Sequence, residues 1–212
     1  MQTNIETIYT DVVEGGLQTI EGHVQAALDT GLPAQQILSE GLIAAMGQVG
    51  ARFERGEYFV PEMLLSAQTM KRALALLRPL LVGSDVRPVA RVVIGTVQGD
   101  LHDIGKNLLG MMLEGAGFEV VDLGTDVSPQ SFVQAVRNGA ALVGISALLT
   151  TTMRNMPNVV NALKEAGLRK QVKIIVGGAP VDQGFAEQIG ADGFAPDASR
   201  AVLLSKTLLG IP

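Results

Sequence analysis

Three consecutive stretches decide the fold: the run Arg91-Val92-Val93-Ile94-Gly95-Thr96-Val97, the turn Gly99-Asp100-Leu101-His102-Asp103-Ile104-Gly105, and Lys106-Asn107-Leu108-Leu109 after it. A continuous β-branched run, then glycines, then helix-forming residues predict a buried parallel strand, a tight turn and the start of a helix. His102 is thereby placed on the carboxyl edge of a sheet. Open α/β folds bind ligands at that edge, where strand ends and helix N-termini open a crevice.

A neutral imidazole is a good ligand for a late transition metal, and a carboxylate two residues away can accept the hydrogen bond of its other nitrogen. Asp100-x-His102-x-x-Gly105 therefore reads as one metal ligand, its orienter, and a glycine that lets a bulky group approach the backbone. One ligand cannot hold a bare ion. The metal would have to arrive inside a cofactor that supplies its other ligands, a haem or a corrin.

Working outward toward the C-terminus, strand-like and helix-like runs alternate. Strands are expected near 90–96, 118–123, 141–146, 172–176 and 192–194, with helices over 104–116, 129–138, 153–166, 182–189 and 198–209. Such alternation implies a parallel sheet covered on both faces by right-handed crossovers. Toward the N-terminus, from Asn4 to about Val82, every apolar pattern has helical period. Ile5, Ile8, Tyr9 and Val12 form one face; Gly15-Gly16 interrupts; Leu17, Ile20, Val24 and Leu28 form the next. After Gly31-Leu32-Pro33 come Leu38, Leu42, Ala45, Val49 and Phe53, and after Gly56 come Pro61, Met63, Ala67, Met70, Leu74, Leu77 and Leu81. Four helices with short connections predict an antiparallel bundle. The expected organisation is a helical-bundle domain over 1–82, a linker over 83–89 and an α/β domain over 90–212.

Composition narrows the function classes. Of 212 residues, 47% are hydrophobic and 17% charged, the balance of a folded chain. A net charge of −5 without a basic run argues against nucleic acid as a partner. Absence of cysteine removes disulfides, thiolate metal sites and thiol nucleophiles, and fits a reducing cytoplasm. The longest apolar stretch, near 140–149, is too short to cross a bilayer, and the N-terminus lacks an export signal. A cytoplasmic protein with no membrane partner is expected.

Three further constellations fall on or near the same edge. Gly144-Ile145-Ser146-Ala147-Leu148-Leu149-Thr150-Thr151-Thr152 ends the third strand with four hydroxyls, which strand ends and helix caps also use. Gly177-Gly178-Ala179-Pro180 follows the fourth strand; paired glycines make a tight turn and also leave space for a flat ligand. Gly124-Thr125-Asp126 follows the second strand and is a weaker candidate. Arg52 to Glu62 joins the third and fourth helices and carries Phe53, Tyr58 and Phe59; aromatics at helix ends are most often bundle core. His23 reads as a surface residue, and Asp103 suits a helix N-cap better than Asp100 does.

The eight residues Asp100 to Asn107 resemble the D-x-H-x-x-G signature of cobalamin-binding domains, in the form seen in methionine synthase and in corrinoid proteins of methyltransferase systems. The resemblance implies a helical cap followed by a Rossmann-like (flavodoxin-like) five-stranded domain. It implies a corrinoid cofactor whose lower cobalt ligand is His102, with Asp100 and Thr152 as a proton-linked network behind it. Asp103, Ile104, Gly105, Ser146, Leu148 and Thr150 would contact the cofactor, and Gly177 and Gly178 would line the cleft for its displaced nucleotide tail. By the same likeness Phe53, Tyr58, Phe59 or Met63 would shield the methyl-cobalt bond from above. The implied function is that of a methyl carrier. A substrate-specific methyltransferase loads Co(I); a second one unloads the methyl group to tetrahydrofolate or coenzyme M; a reductive activator keeps the system running.

Rival readings fit less well. Adenosylcobalamin photoreceptors of this plan resemble each other in a Trp and a His over the upper face, whereas this chain has no Trp and His23 lies far from that segment. Small subunits of radical mutases share the signature but do not usually carry an N-terminal bundle. Gly95, Gly99 and Gly105 do not form the dinucleotide fingerprint, and the acidic cluster of a response regulator is missing from the first strand's end.

Overall fold

The computed structural model describes residues 2–81 and 88–211, the backbone alone for 2 and 3. Most of the expected linker, 83–87, lies outside the described residues. The chain forms two compact units, the first running to residue 87 and taking in 115–117 as well, the second holding the rest from residue 88.

The first unit is helical: α1 (Gln2–Glu14), α2 (Ile20–Asp29), a composite α3 over 34–54, and α4 (Val60–Leu81). Its core holds Ile8, Val12, Ile20, Val24, Leu42, Val49, Met63, Met70 and Leu77, all fully or nearly fully buried. Two expectations shift. Leu17 lies in the turn before α2, which starts at Ile20. Within α3 the stretch Ile37–Ile43 is π-wound, and Ile37 and Leu42 are buried while Leu38 is only half-buried. A π turn adds a residue per turn, so the buried pair stands five apart instead of the four that an α-helical reading assumes.

The second unit is a five-stranded, wholly parallel sheet in the order β2-β1-β3-β4-β5. The strands are β1 (Arg91–Thr96), β2 (Glu119–Asp122), β3 (Leu142–Ser146), β4 (Lys173–Gly177) and β5 (Gly193–Phe194). The helices between them are α5 (Ile104–Gly115), α6 (Pro129–Arg137), α7 (Thr150–Met153), α8 (Met156–Glu165) and α9 (Gln183–Ile189), and α10 (Ala198–Leu209) closes the chain. Val93 pairs with Val143 and Val143 with Ile174, so β-branched side chains stack across the centre. They bury against Phe132, Val136, Val159 and Leu163 of α6 and α8. Strand order reverses between β1 and β3, which opens a crevice beyond their carboxyl ends.

One expected helix is two. The run expected over 153–166 begins earlier, as the single turn α7, breaks at Arg154-Asn155, and resumes as α8 with Pro157 in its first turn. Proline has no N–H to give, so it suits a helix start and not a helix interior. Among the described residues no helix is long and apolar enough to cross a membrane.

Candidate functional site

His102 leaves the sheet on the loop between β1 and α5, at the switch point. Asp100 apart, the loop's own side chains do not anchor it: Leu101 is 73% exposed, Ile104 78%, and the His102 side chain 52%. Hydrogen bonds hold it instead. Thr96 Oγ1 donates to the His102 carbonyl at 2.9 Å, and the Asp100 N–H donates to Val97 O at 3.1 Å.

Asp100 points inward and is 1% exposed. Its Oδ1 accepts from the His102 N–H at 3.0 Å and lies 2.8 Å from His102 Nδ1. Its Oδ2 accepts from the Leu148 N–H at 2.8 Å and from Thr152 Oγ1 at 2.5 Å. Burial by itself raises a carboxylate pKa. Here the donors Thr152, the His102 and Leu148 amides, and the His102 ring outweigh it and hold Asp100 well below the usual carboxylate range. An ionised carboxylate only accepts, so Nδ1 is the donor, and a neutral His102 ring carries its lone pair on Nε2. Among the described residues Nε2 makes no hydrogen bond. The result is an oriented, exposed imidazole with one nitrogen unengaged, backed by a buried anion, an arrangement suited to holding a metal.

The β3 side supplies the rest of the network. Leu148 and Thr152 follow β3, the strand paired to β1, and the early turn α7 carries the Thr152 hydroxyl to Asp100. Thr150 starts α7 and is exposed, and Ser146 is half-buried at the end of β3. Below the loop a cleft of about 150 Å³ runs between the strand ends and α10, lined by Gly105, Lys106, Gly144, Ser146, Gly177 and Ala198 among others. The expected Ser146, Gly177 and Gly178 thus share one cleft with the start of α5. Gly178 has a packing reason of its own: at φ +122° a Cβ would stand 1.8 Å from Ala147 O.

Gly105 is different. Its φ is not positive, and a Cβ there would meet nothing within 4 Å. Glycine in a helix costs about 1 kcal/mol against alanine, and nothing inside the chain asks for it. Gly105 itself lines the cleft; Leu101 and Ile104, just before it in the chain, are exposed, as are Leu148 and Leu149 after β3. A bare cleft edge, exposed leucines and one free imidazole nitrogen fit a broad, largely apolar metal macrocycle. Among the described residues no group of three or more His, Cys, Asp or Glu could hold a metal ion unaided.

Other expected residues take other places. Asp103 Oδ2 accepts from Asn107 Nδ2 at 2.9 Å, and its carbonyl accepts the Asn107 N–H. Met63, in the first turns of α4, is fully buried. Phe59 is exposed; Phe53 and Tyr58 are half-buried. The Tyr58 hydroxyl donates to Val13 O at 2.9 Å, and its ring lies 5.0 Å from the Arg52 guanidinium carbon. His23 is partly buried, its Nδ1 2.5 Å from Asp11 Oδ2, and not a free surface group.

Sequence reasoning missed Lys106. Its side chain is almost wholly buried, with Nζ 2.7 and 2.6 Å from the two oxygens of Asp122 and 2.7 Å from Asn107 Oδ1. The available signal was an acid closing β2 opposite a lysine opening α5.

Comparison with known proteins identifies the family. Residues 90–203 match the B12 binding domain, and residues 5–78 match a second B12 binding domain model. Dimethylamine corrinoid protein 3 of Methanosarcina acetivorans is 45% identical over 179 residues, 84% of each chain. A corrinoid protein of Desulfitobacterium hafniense is 40% identical over 203 residues, 94% of each. Among solved structures, the methanol:cobalamin methyltransferase complex MtaBC of Methanosarcina barkeri superposes with TM-score 0.89 at 28% identity, covering 98% of this chain and 80% of that one. A cobalamin-binding protein of Desulfitobacterium hafniense superposes with TM-score 0.77 at 33% identity, covering 96% and 97%. With both B12 domains matched, and relatives above 30% identity along most of its length, the chain belongs to the B12-binding corrinoid proteins of methyltransferase systems.

Proposed function

We propose that this corrinoid protein carries methyl groups from a donor of the methylamine class, loaded by a substrate-specific methyltransferase. A second methyltransferase, acting on tetrahydrofolate or coenzyme M, unloads it, a reductive activator restores it, and the cycle runs in the cytoplasm. The donor class rests on relatives named dimethylamine corrinoid proteins. The observation that carries the carrier reading is the buried anion behind an exposed imidazole: Asp100, held by Thr152 and Leu148, engages His102 Nδ1 and leaves Nε2 without a hydrogen bond, three residues before Gly105 of the cleft. When bound, a corrinoid supplies a cobalt centre that accepts and surrenders a methyl group. His102 would be its lower ligand. Asp100 fixes the ring's tautomer and orientation, Thr152 and the Leu148 amide hold Asp100, and the exposed leucines keep water from the metal's surroundings.

Reconstitution with methylcobalamin, wild type against His102→Ala, tests the site. The wild type is expected to bind with an absorption spectrum of histidine on cobalt, and the variant to bind poorly or with that ligand lost. A spectrum indifferent to the substitution sinks the reading. Pairing the reduced holoprotein with methyltransferases for dimethylamine, methanol and betaine tests the donor. Methylation by the methanol or betaine enzyme alone would remove the methylamine assignment and leave the carrier reading standing.

A further inference from the structure

Among the described residues Asp126 is the only non-glycine with a positive φ, at 54°. L-residues avoid this region, and aspartate is one of the few that enter it. Asp126 is exposed, in the loop between β2 and α6, so core packing does not force the conformation. Such a backbone persists where the surroundings require it, and here two hydrogen bonds do. The Gly99 N–H donates to Asp126 Oδ1 at 2.7 Å, and the Asp126 N–H donates to the Asp100 carbonyl at 3.0 Å. They bracket the peptide that joins Gly99 to Asp100. Gly99 is itself at φ +86°, a position with little conformational preference of its own.

From Gln98 to Ile104 the turn that presents His102 buries only Asp100, and its backbone is not stiff at Gly99. What fixes Asp100, and through it the ring, must come from outside the turn. Asn155 Nδ2 donates to Gln98 O at 2.8 Å and holds its first residue. Asp126 holds the next two. We infer that Asp126 is a positioning residue for His102: by clamping Gly99 and Asp100 it sets the carboxylate that aims Nε2. The inference rests on the reading of His102 as the cobalt ligand, and it adds to that site a residue on a third loop.

Three substitutions separate the contact from the conformation. Asp126→Asn keeps an acceptor oxygen and tolerates the left-handed region, Asp126→Gly keeps the conformation but loses the acceptor, and Asp126→Ala loses both. Each is measured as full-length protein in three ways: the thermal midpoint, amide hydrogen exchange of residues 98–103 without cofactor, and the histidine-on to histidine-off ratio of bound methylcobalamin by absorption. The Gly and Ala variants should shift that ratio toward histidine-off about fivefold and speed Gly99 exchange by a similar factor, as loss of one hydrogen bond implies, with Asn within about twofold of wild type. If Gly and Ala lower only the thermal midpoint and leave ratio and exchange unchanged, Asp126 is structural and the inference is wrong. If Asn behaves like Gly, the acceptor geometry is not the cause and the inference is equally wrong. A wild-type spectrum indifferent to His102→Ala would defeat the reading of His102 as ligand. Exchange at Gly99 would then still decide whether Asp126 clamps the turn.

Discussion

Asp100 shows how much one buried carboxylate can govern. Four donors converge on it, and they depress its pKa in the folded protein. A group whose folded pKa lies below its unfolded one stabilises the fold above the unfolded value, and that stabilisation is lost as pH falls toward the folded one. Asp100→Asn should therefore be less stable than wild type at neutral pH by roughly 1–3 kcal/mol, because an amide turns an NH₂ toward N–H or O–H donors. The gap should narrow as pH falls below the ordinary aspartate value; urea titrations at pH 7 and at about pH 2.5 check this, and a gap that widens in acid contradicts it. Thr152→Val removes one donor and should loosen the ring, shifting bound methylcobalamin toward the histidine-off spectrum, while Thr152→Ser should not. The sequence made the Asp100–His102 pair legible because the two stand two residues apart in a strand-end turn, whereas Thr152 was joined to them by the family resemblance alone, since hydroxyls after a strand also cap helices. Asp126 was only a weak candidate, because no residue pattern announces a left-handed aspartate. Lys106, on α5, gave no signal alone, because its partner Asp122 closes β2, sixteen residues away.

At the scale of elements, glycines in the sheet unit do different jobs, and substitution separates them. A Cβ on Gly178 would collide with Ala147 O, and φ +122° forbids a side chain in any case. Gly178→Ala should cost several kcal/mol or prevent folding, seen as a large fall in the thermal midpoint. Gly144 sits inside β3 at the cleft, where a Cβ would come 3.2 Å from Ile94 Cγ2. Crowding there is offset in part by the roughly 0.5–1 kcal/mol that alanine gains over glycine in a strand. Gly144→Ala should fold, yet weaken corrinoid binding about tenfold, the usual effect of one misplaced methyl in an apolar pocket. A titration showing unchanged affinity would mean that the cofactor does not enter the cleft. The strands and α10 fall within a residue or two of where the pattern puts them, since buried β-branched runs and N-cap aspartates are local signals. The π stretch in α3 and the break before α8 are less legible. The first depends on which residues the fold buries, and the second on a single proline inside an otherwise helical run.

At the scale of the molecule, two units with separate cores predict two sources of cooperativity, because each buries its own apolar face. Ligand that binds only folded protein stabilises the unit it touches by RT ln(1 + [L]/Kd), about 2.7 kcal/mol at a hundredfold excess over Kd. Scanning calorimetry with and without methylcobalamin should therefore raise the transition of the sheet unit, and His102→Ala should abolish most of that rise, which assigns it. The helical unit provides the sharper test. It has no reason to gain stability from a cofactor it does not contact, so its transition should move only if Phe53, Tyr58 or Phe59 meets the bound group. Phe59 is the informative side chain, because at 64% exposure its truncation removes little core packing. Phe59→Ala should leave the cofactor-free transition of the helical unit nearly unchanged and reduce its rise with cofactor. If the sheet unit alone responds, the aromatic segment does not shield the metal, and protection of the methyl group falls to the partner methyltransferases.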